Sequence, residues 1–283
     1  MLAYWLVADT QTIKKLPVKE SEKGANTEGS AQTVTVTLTV EETRQFLYDV
    51  ADTYRTQARD LLLAALTAAL GRWIGPGKIL IGVEGHGRDA MHQQLDLSRT
   101  IGWFTAFYPI VLPIAVVTNY GDHIKTVKEQ LRRVPNNGLD YGIARYLSDD
   151  PGIIDQLKRY QPEVLFNYLG QFDQMMARNG QFKVLSTYLD GARSGDNARI
   201  CLLDINALIT QRQLAVTWTY SPHYHDSETI TQVAADFIKT LGALIHHCLT
   251  PDAGGYSPSD FPEANLDQRA LDDLLDEFSE EIE

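Results

Sequence analysis

Ile79-Leu80-Ile81-Gly82-Val83-Glu84-Gly85-His86-Gly87-Arg88-Asp89 joins an apolar run to a cluster of ionisable groups and glycines. Its first half is a short apolar run of the kind that forms a buried strand. Glu84, His86, Arg88 and Asp89 follow it directly, so ionisable groups stand where a core strand opens into a cleft. Gly82, Gly85 and Gly87 keep the backbone small there and permit close approach of a ligand or another chain segment. A few positions on, Asp96-Leu97-Ser98-Arg99-Thr100-Ile101-Gly102-Trp103-Phe104-Thr105-Ala106-Phe107-Tyr108-Pro109 supplies an aromatic second block.

Further motifs lie far along the chain. Pro162-Glu163-Val164-Leu165-Phe166-Asn167-Tyr168-Leu169-Gly170-Gln171-Phe172 is preceded by the glycine-bearing helix start Gly138-Leu139-Asp140-Tyr141-Gly142, and Tyr256-Ser257-Pro258-Ser259-Asp260-Phe261-Pro262 comes near the end. In this order and at these separations the blocks resemble the epimerization domains of non-ribosomal peptide synthetases, members of the condensation-domain superfamily. The resemblance runs over nearly the whole chain. It implies an α/β (α+β sandwich) lobe of the chloramphenicol-acetyltransferase-like fold, the C-terminal half of a V-shaped two-lobe domain. The superfamily's His-His-xxx-Asp-Gly motif belongs to an N-terminal lobe, and the opening Met1-Leu2-Ala3-Tyr4-Trp5 is similar to the start of the connection between lobes. The resemblance therefore implies that the chain begins mid-domain and is inactive alone. His246-His247-Cys248-Leu249-Thr250-Pro251-Asp252-Ala253 imitates the missing motif, but its Asp falls one position late and Ala replaces Gly. Its place at a helix end explains the histidines as basic groups facing the helix dipole.

Composition excludes several classes. At 283 residues and 44% hydrophobic content the chain can bury a sizeable core. A formal net charge of −12, with no basic stripe, argues against nucleic acid. Two cysteines, Cys201 and Cys248, form neither a disulfide framework nor a metal-ligand spacing, so a reducing cytoplasm is expected and no metal. The longest apolar run, Leu61 to Leu70, is far short of the roughly 20 residues that span a bilayer, and no membrane is expected.

Patterning gives the elements. Residues 1–32 read as an inter-lobe connection and a flexible loop, since Lys19 to Gln32 is polar and poor in apolar residues. Residues 33–262 form the lobe and 263–283 an acidic helix or linker. Thr33 to Val40 alternates as a half-buried strand, and Arg59 to Trp73 is an apolar helix stopped at Gly75-Pro76-Gly77. Trp103 to Val117 is one strand, or two broken at Pro109 and Pro113, and Asp122 to Val134 is a helix. A shorter helix from Asp149 to Tyr160 feeds the strand Val164 to Tyr168. Arg199 to Ile209 and Gln213 to Tyr220 make an antiparallel hairpin, and Ile230, Val233, Ala234, Phe237, Ile238, Leu241, Leu244 and Ile245 mark the core face of a long helix.

Racemising a thioester means removing an α-proton and returning it on the opposite face, which needs acid–base groups and donors that stabilise an enolate. Glu84 is the candidate acid or base; the bland reading is a partner for Arg88. The resemblance gives the Glu84 position a catalytic role opposite the absent histidine and implies that Asn167 and Tyr168 donate to the thioester or enolate oxygen. A plain strand pair satisfying backbone groups is the alternative for these two. His86 and Arg88 are read as holding the loop, with Asp89 standing where the family usually has Glu. Trp103, Phe104, Phe107 and Tyr108 are expected to wall the substrate channel and pack the core. The resemblance also implies that no cofactor is bound directly and that substrate arrives on the 4′-phosphopantetheine of a partner peptidyl carrier domain. The rivals are a condensation-domain lobe that forms peptide bonds and a non-catalytic scaffold or docking lobe. Gly102-Trp103-Phe104-Thr105 argues against the first, where Gly-Phe-Phe-Val-Asn is more usual.

Overall fold

Strand β3, Gly77–Gly85, is the organising element. Ile79, Ile81 and Val83 point into the core at 2% exposure or less, and Leu80 on the other face is also buried. Gly82 is required there, because a Cβ would stand 2.7 Å from a ring carbon of Phe107 and 3.0 Å from Pro162. The computed structural model describes residues 2–6, 12–19, 24–88, 96, 97, 99–172 and 193–280.

Along one edge of β3 runs strand β4, Ala106–Ile114, antiparallel from Gly77↔Ile114 to Gly85↔Ala106. Of the two readings, one strand or two, the single strand holds, running unbroken through Pro109 and Pro113. Among the described residues β4 pairs with β3 alone, and a strand at a sheet edge tolerates residues that lack an N–H. The other edge of β3 carries two parallel partners: β1, Ile13–Lys14, and further along β5, Val164–Gln171. Strand β6, Leu203–Thr210, continues the sheet parallel to β5, and β7, Gln213–Tyr220, returns antiparallel. Their turn is only two residues, Gln211 and Arg212, both at positive φ (51° and 63°), which matches strand twist as a type I′ hairpin does. Strand β2, Gln32–Thr37, closes the seven-stranded sheet on β7.

One face of the sheet is covered by helices. Helix α3, Ala58–Ile74, is buried nearly all round, from Asp60 to Gly71. Such a helix needs neighbours on every side. It has them in β4, in α4 (Tyr120–Arg132) and in α7 (Ser227–Cys248). Helix α7 presents Ile230, Val233, Phe237, Leu241 and Leu244 to the core, as its periodicity predicts. Helix α2 (Val40–Tyr48) packs on α7 and β7, while α1 (Leu2–Leu6), α5 (Leu139–Tyr146) and α6 (Pro151–Lys158) pack on one another, α5 also against β4, and α8, Gln268–Glu280, follows near the end. Lys128 of α4 is buried against Asp260 at 2.6 Å, which ties the Tyr256–Pro262 segment to the core. The acidic tail is anchored too, through Leu271 at 2% exposure.

Two expectations are corrected. Structure does not wait until residue 33: Trp5 and Leu16 lie in the core and β1 joins the sheet. Within the loop expected over residues 19–32, residues 24–32 are fixed, since the backbones of Glu28 and Gly29 donate to Asn197 and Gly195, and Arg199 donates back to Asn26. Backbone–backbone bonds substitute there for the apolar content that the loop lacks.

Candidate active site at the carboxyl end of strand β3

Toward the carboxyl end of β3 the sheet face turned away from α3 becomes polar. Strand alternation and register bring Glu84, Asn167, Asp204, Asn206, Thr217 and Thr35 onto it. Glu84 is next to last in β3, and the register Val83↔Phe166 sets it beside Asn167 of β5. Asn167 Nδ2 donates to Glu84 Oε2 at 2.8 Å, a contact between residues 83 apart in sequence. Burial pushes the Glu84 carboxyl above the usual carboxylate range, the charge of Asp204 pushes it the same way, and Arg193 opposes both. The Tyr168 phenol is likewise raised by burial, so it stays protonated and able to donate.

Glu84, Asn167 and Tyr168 line one cleft of about 510 Å³, which the amino end of α3 closes with Gln57, Ala58 and Arg59. His86 is exposed at its mouth, its Nδ1 accepting from the Arg88 backbone at 3.1 Å. Arg88 has the loop-holding role: Nη1 donates to the carbonyls of Leu97 at 2.6 Å and Thr100 at 2.9 Å, and its guanidinium sits 4.5 Å over the Phe104 ring. Glu84 is not its partner in these contacts. Gly87, at φ 61°, lies so close to the Phe104 carbonyl that any Cβ would collide with it at 1.5 Å.

The aromatic block divides. Trp103 is 90% exposed and packs no core. Phe104 carries Arg88, and Phe107 is half-buried beside Tyr141. Tyr108, at 1% exposure, is a core residue rather than a channel wall; its hydroxyl accepts from Arg59 Nη1 at 3.2 Å and so props a residue that does line the cleft. Asp89 lies outside the described residues. His247 at the end of α7 bonds the Tyr54 hydroxyl at 2.7 Å, a structural contact.

Sequence reasoning missed Asp204, Arg59 and Arg193. The alternation Leu203-Asp204-Ile205-Asn206-Ala207 marks Asp204 as facing away from the core, yet only strand order shows that it shares a face with Glu84. A larger cleft, about 850 Å³, lies at the opposite end of β3 along Trp5, Leu80, Val111 and Pro113. It is more apolar, and among the described residues no carboxyl side chain lines it, whereas the smaller one holds the candidate proton-transfer group Glu84. Among the described residues no three His, Cys, Asp or Glu side chains converge as metal ligands.

A mixed sheet with helices on one face and a protonatable carboxyl at the strand ends is a chloramphenicol-acetyltransferase-like lobe with acid–base capability. The chain belongs to the condensation-domain family, whose model matches residues 1–266. It is 46% identical over 276 residues to one of the subunits of linear gramicidin synthase from Brevibacillus parabrevis, covering 96% of this chain and 4% of that protein. Gramicidin S synthase 1 of Brevibacillus brevis is 35% identical over 293 residues, and the chain spans 26% of its length. Among solved structures the chain is similar to the epimerization domain from the third module of tyrocidine synthetase B, with 35% identity and a TM-score of 0.75 over 87% of this chain and 55% of that one. A structure concerning condensation domain-mediated chain release from the enacyloxin polyketide synthase shares the fold at a TM-score of 0.61, covering 90% of this chain and 48% of that one, with 12% identity.

Proposed function

We propose that this chain supplies the Glu84 side of an epimerization site in a non-ribosomal peptide synthetase, interconverting the L and D forms of an aminoacyl or peptidyl thioester. The thioester is the substrate and rides on the phosphopantetheine of a carrier domain. The observation that carries this reading is the Glu84–Asn167 pair at the end of β3, a half-buried carboxyl that its surroundings hold above the usual carboxylate range. The 35% identity with an epimerization domain supports it.

A base on one face takes the α-proton and the C–H electron pair moves into an enolate. Its oxygen is stabilised by hydrogen-bond donors, for which the Tyr168 hydroxyl is placed in the cleft. A proton delivered to the opposite face restores the carbon with inverted configuration, and no atom is gained or lost overall. Glu84 is one of the two proton-transfer groups; the other, a histidine by family resemblance, belongs to an N-terminal lobe that works with this one. The cytoplasm is the proposed setting.

The test is α-proton exchange in deuterated water, with a carrier-loaded L-aminoacyl thioester and a two-lobe domain containing this chain. Glu84→Gln, which keeps size and removes the ionisable group, is expected to slow exchange by about 10²- to 10⁴-fold with folding intact. Exchange at the parental rate overturns the assignment, and peptide bond formation without exchange assigns the chain to the condensing members.

A further inference from the structure

Glu84 does not stand alone on its face of the sheet. The registers place Glu84, Asn167 and Asn206 in a row across β3, β5 and β6, and Asp204 lies one alternation behind Asn206. The two carboxyls share a half-buried, low-dielectric surface, where two negative charges are costly and one is preferred.

Their surroundings are unequal. Asp204 Oδ1 accepts from Asn206 Nδ2 at 2.8 Å. Arg199 lies beside it: Arg199 Nη2 donates at 2.9 Å to the carbonyl of Thr219, the cross-strand partner of Asp204, and among the described residues Arg199 Nη1 is buried without a hydrogen-bond partner. Glu84 accepts an amide hydrogen from Asn167. Arg193, whose charge favours the ionised form of both carboxyls, is largely exposed and is itself paired with Glu28 at 2.7 Å. Among the described residues the other ionisable groups lining the cleft are Arg59 of α3, Tyr168 of β5 and His86 after β3. The support for a negative charge therefore gathers at Asp204.

We propose that Asp204 is a positioning residue that carries the single negative charge of this pair and thereby keeps the proton on Glu84, so that Glu84 meets its substrate as an acid. The inference rests on the epimerization reading of the same cleft. Burial raises both carboxyls, and the Asp204 charge raises Glu84 further while Arg193 lowers it; Arg199, Asn206 and Arg193 draw Asp204 back down against the push of burial and of the Glu28 charge. In the direction where Glu84 gives up its proton, the opposing base holds the α-proton it removed, so protons balance. Glu84 then becomes a carboxylate beside Asp204, which favours its reprotonation.

Carboxyl ¹³C titration of this chain tests the proposal without turnover, with the Glu84 resonance assigned by its loss in Glu84→Gln. In the parent, Asp204 is expected to titrate below Glu84. In Asp204→Asn the Glu84 midpoint is expected to fall by about one pH unit, the order of one charge removed at roughly 10 Å in an effective dielectric near 20. If Asp204→Asn loses its dispersed amide spectrum, Asn206→Ala takes its place; it strips a donor from Asp204 and is expected to raise the lower midpoint and narrow the gap between the two. An unmoved Glu84 midpoint in folded Asp204→Asn, an unchanged gap in Asn206→Ala, or Asp204 titrating above Glu84 overturns the proposal. Any of these leaves the epimerization reading in place, whereas α-proton exchange indifferent to Glu84→Gln removes that reading and leaves the titration order intact.

Discussion

His225 shows at the scale of one residue how burial sets chemistry. It is 2% exposed, its ring meets the edge of Trp73, and among the described residues neither ring nitrogen has a hydrogen-bond partner. Desolvation pushes its pKa down to about 4. The unfolded chain, with an ordinary histidine near 6.5, then binds more protons than the folded one between those values. Stability is therefore fully present above pH 6.5 and is lost as pH falls toward 4, by up to about 3 kcal/mol. Urea melts at pH 7 and pH 4.5 check this: His225→Phe is expected to show a smaller difference between the two than the parent, and an equal difference refutes the assignment. Residue-scale reading of the sequence succeeded where one residue type has one job, as at Gly87. It did not find Asp204, because an aspartate in an alternating strand looks the same whatever lies across the sheet.

Elements were the most legible level. The apolar stripe of α7, the all-round burial of α3 and the β6–β7 hairpin follow from residue periodicity and turn signals, which are local. The gaps and errors have equally local causes. Pro109 and Pro113 left one strand or two open because edge position is not written in the strand's own residues, and residues 24–32 read as loose because their backbone partners, from Gly195 to Arg199, are remote. Joints between elements divide by burial. Lys128 is 2% exposed against 8% for Asp260, so Asp260→Ala leaves an unpaired buried ammonium and is expected to cost about 3–5 kcal/mol. Asp155→Ala at the exposed Lys158 pair is expected to cost less than about 1 kcal/mol. Chemical denaturation of both variants is the check, and equal losses contradict the distinction.

At the scale of the whole molecule, the loop between the motif and β4 holds Ile101 at 100% and Trp103 at 90% exposure. Large apolar side chains left in water close to one another favour association. The chain is expected to scatter light with rising apparent mass as concentration increases, and Trp103→Ser to weaken that rise; a concentration-independent monomer in the parent refutes it. The sequence by itself determined the family motifs, the helix and strand periods and Glu84 as the candidate proton-transfer group, since residue type and spacing are covalent facts. Only the tertiary structure decided that Glu84 meets Asn167, that Tyr108 is core while Trp103 is not, and that Asp204 and Arg193 bear on the same carboxyl. Those relations arise from strand order and register, which are settled by burying one face of the sheet against α3 and α7, and no local stretch of sequence specifies which remote strand becomes its neighbour.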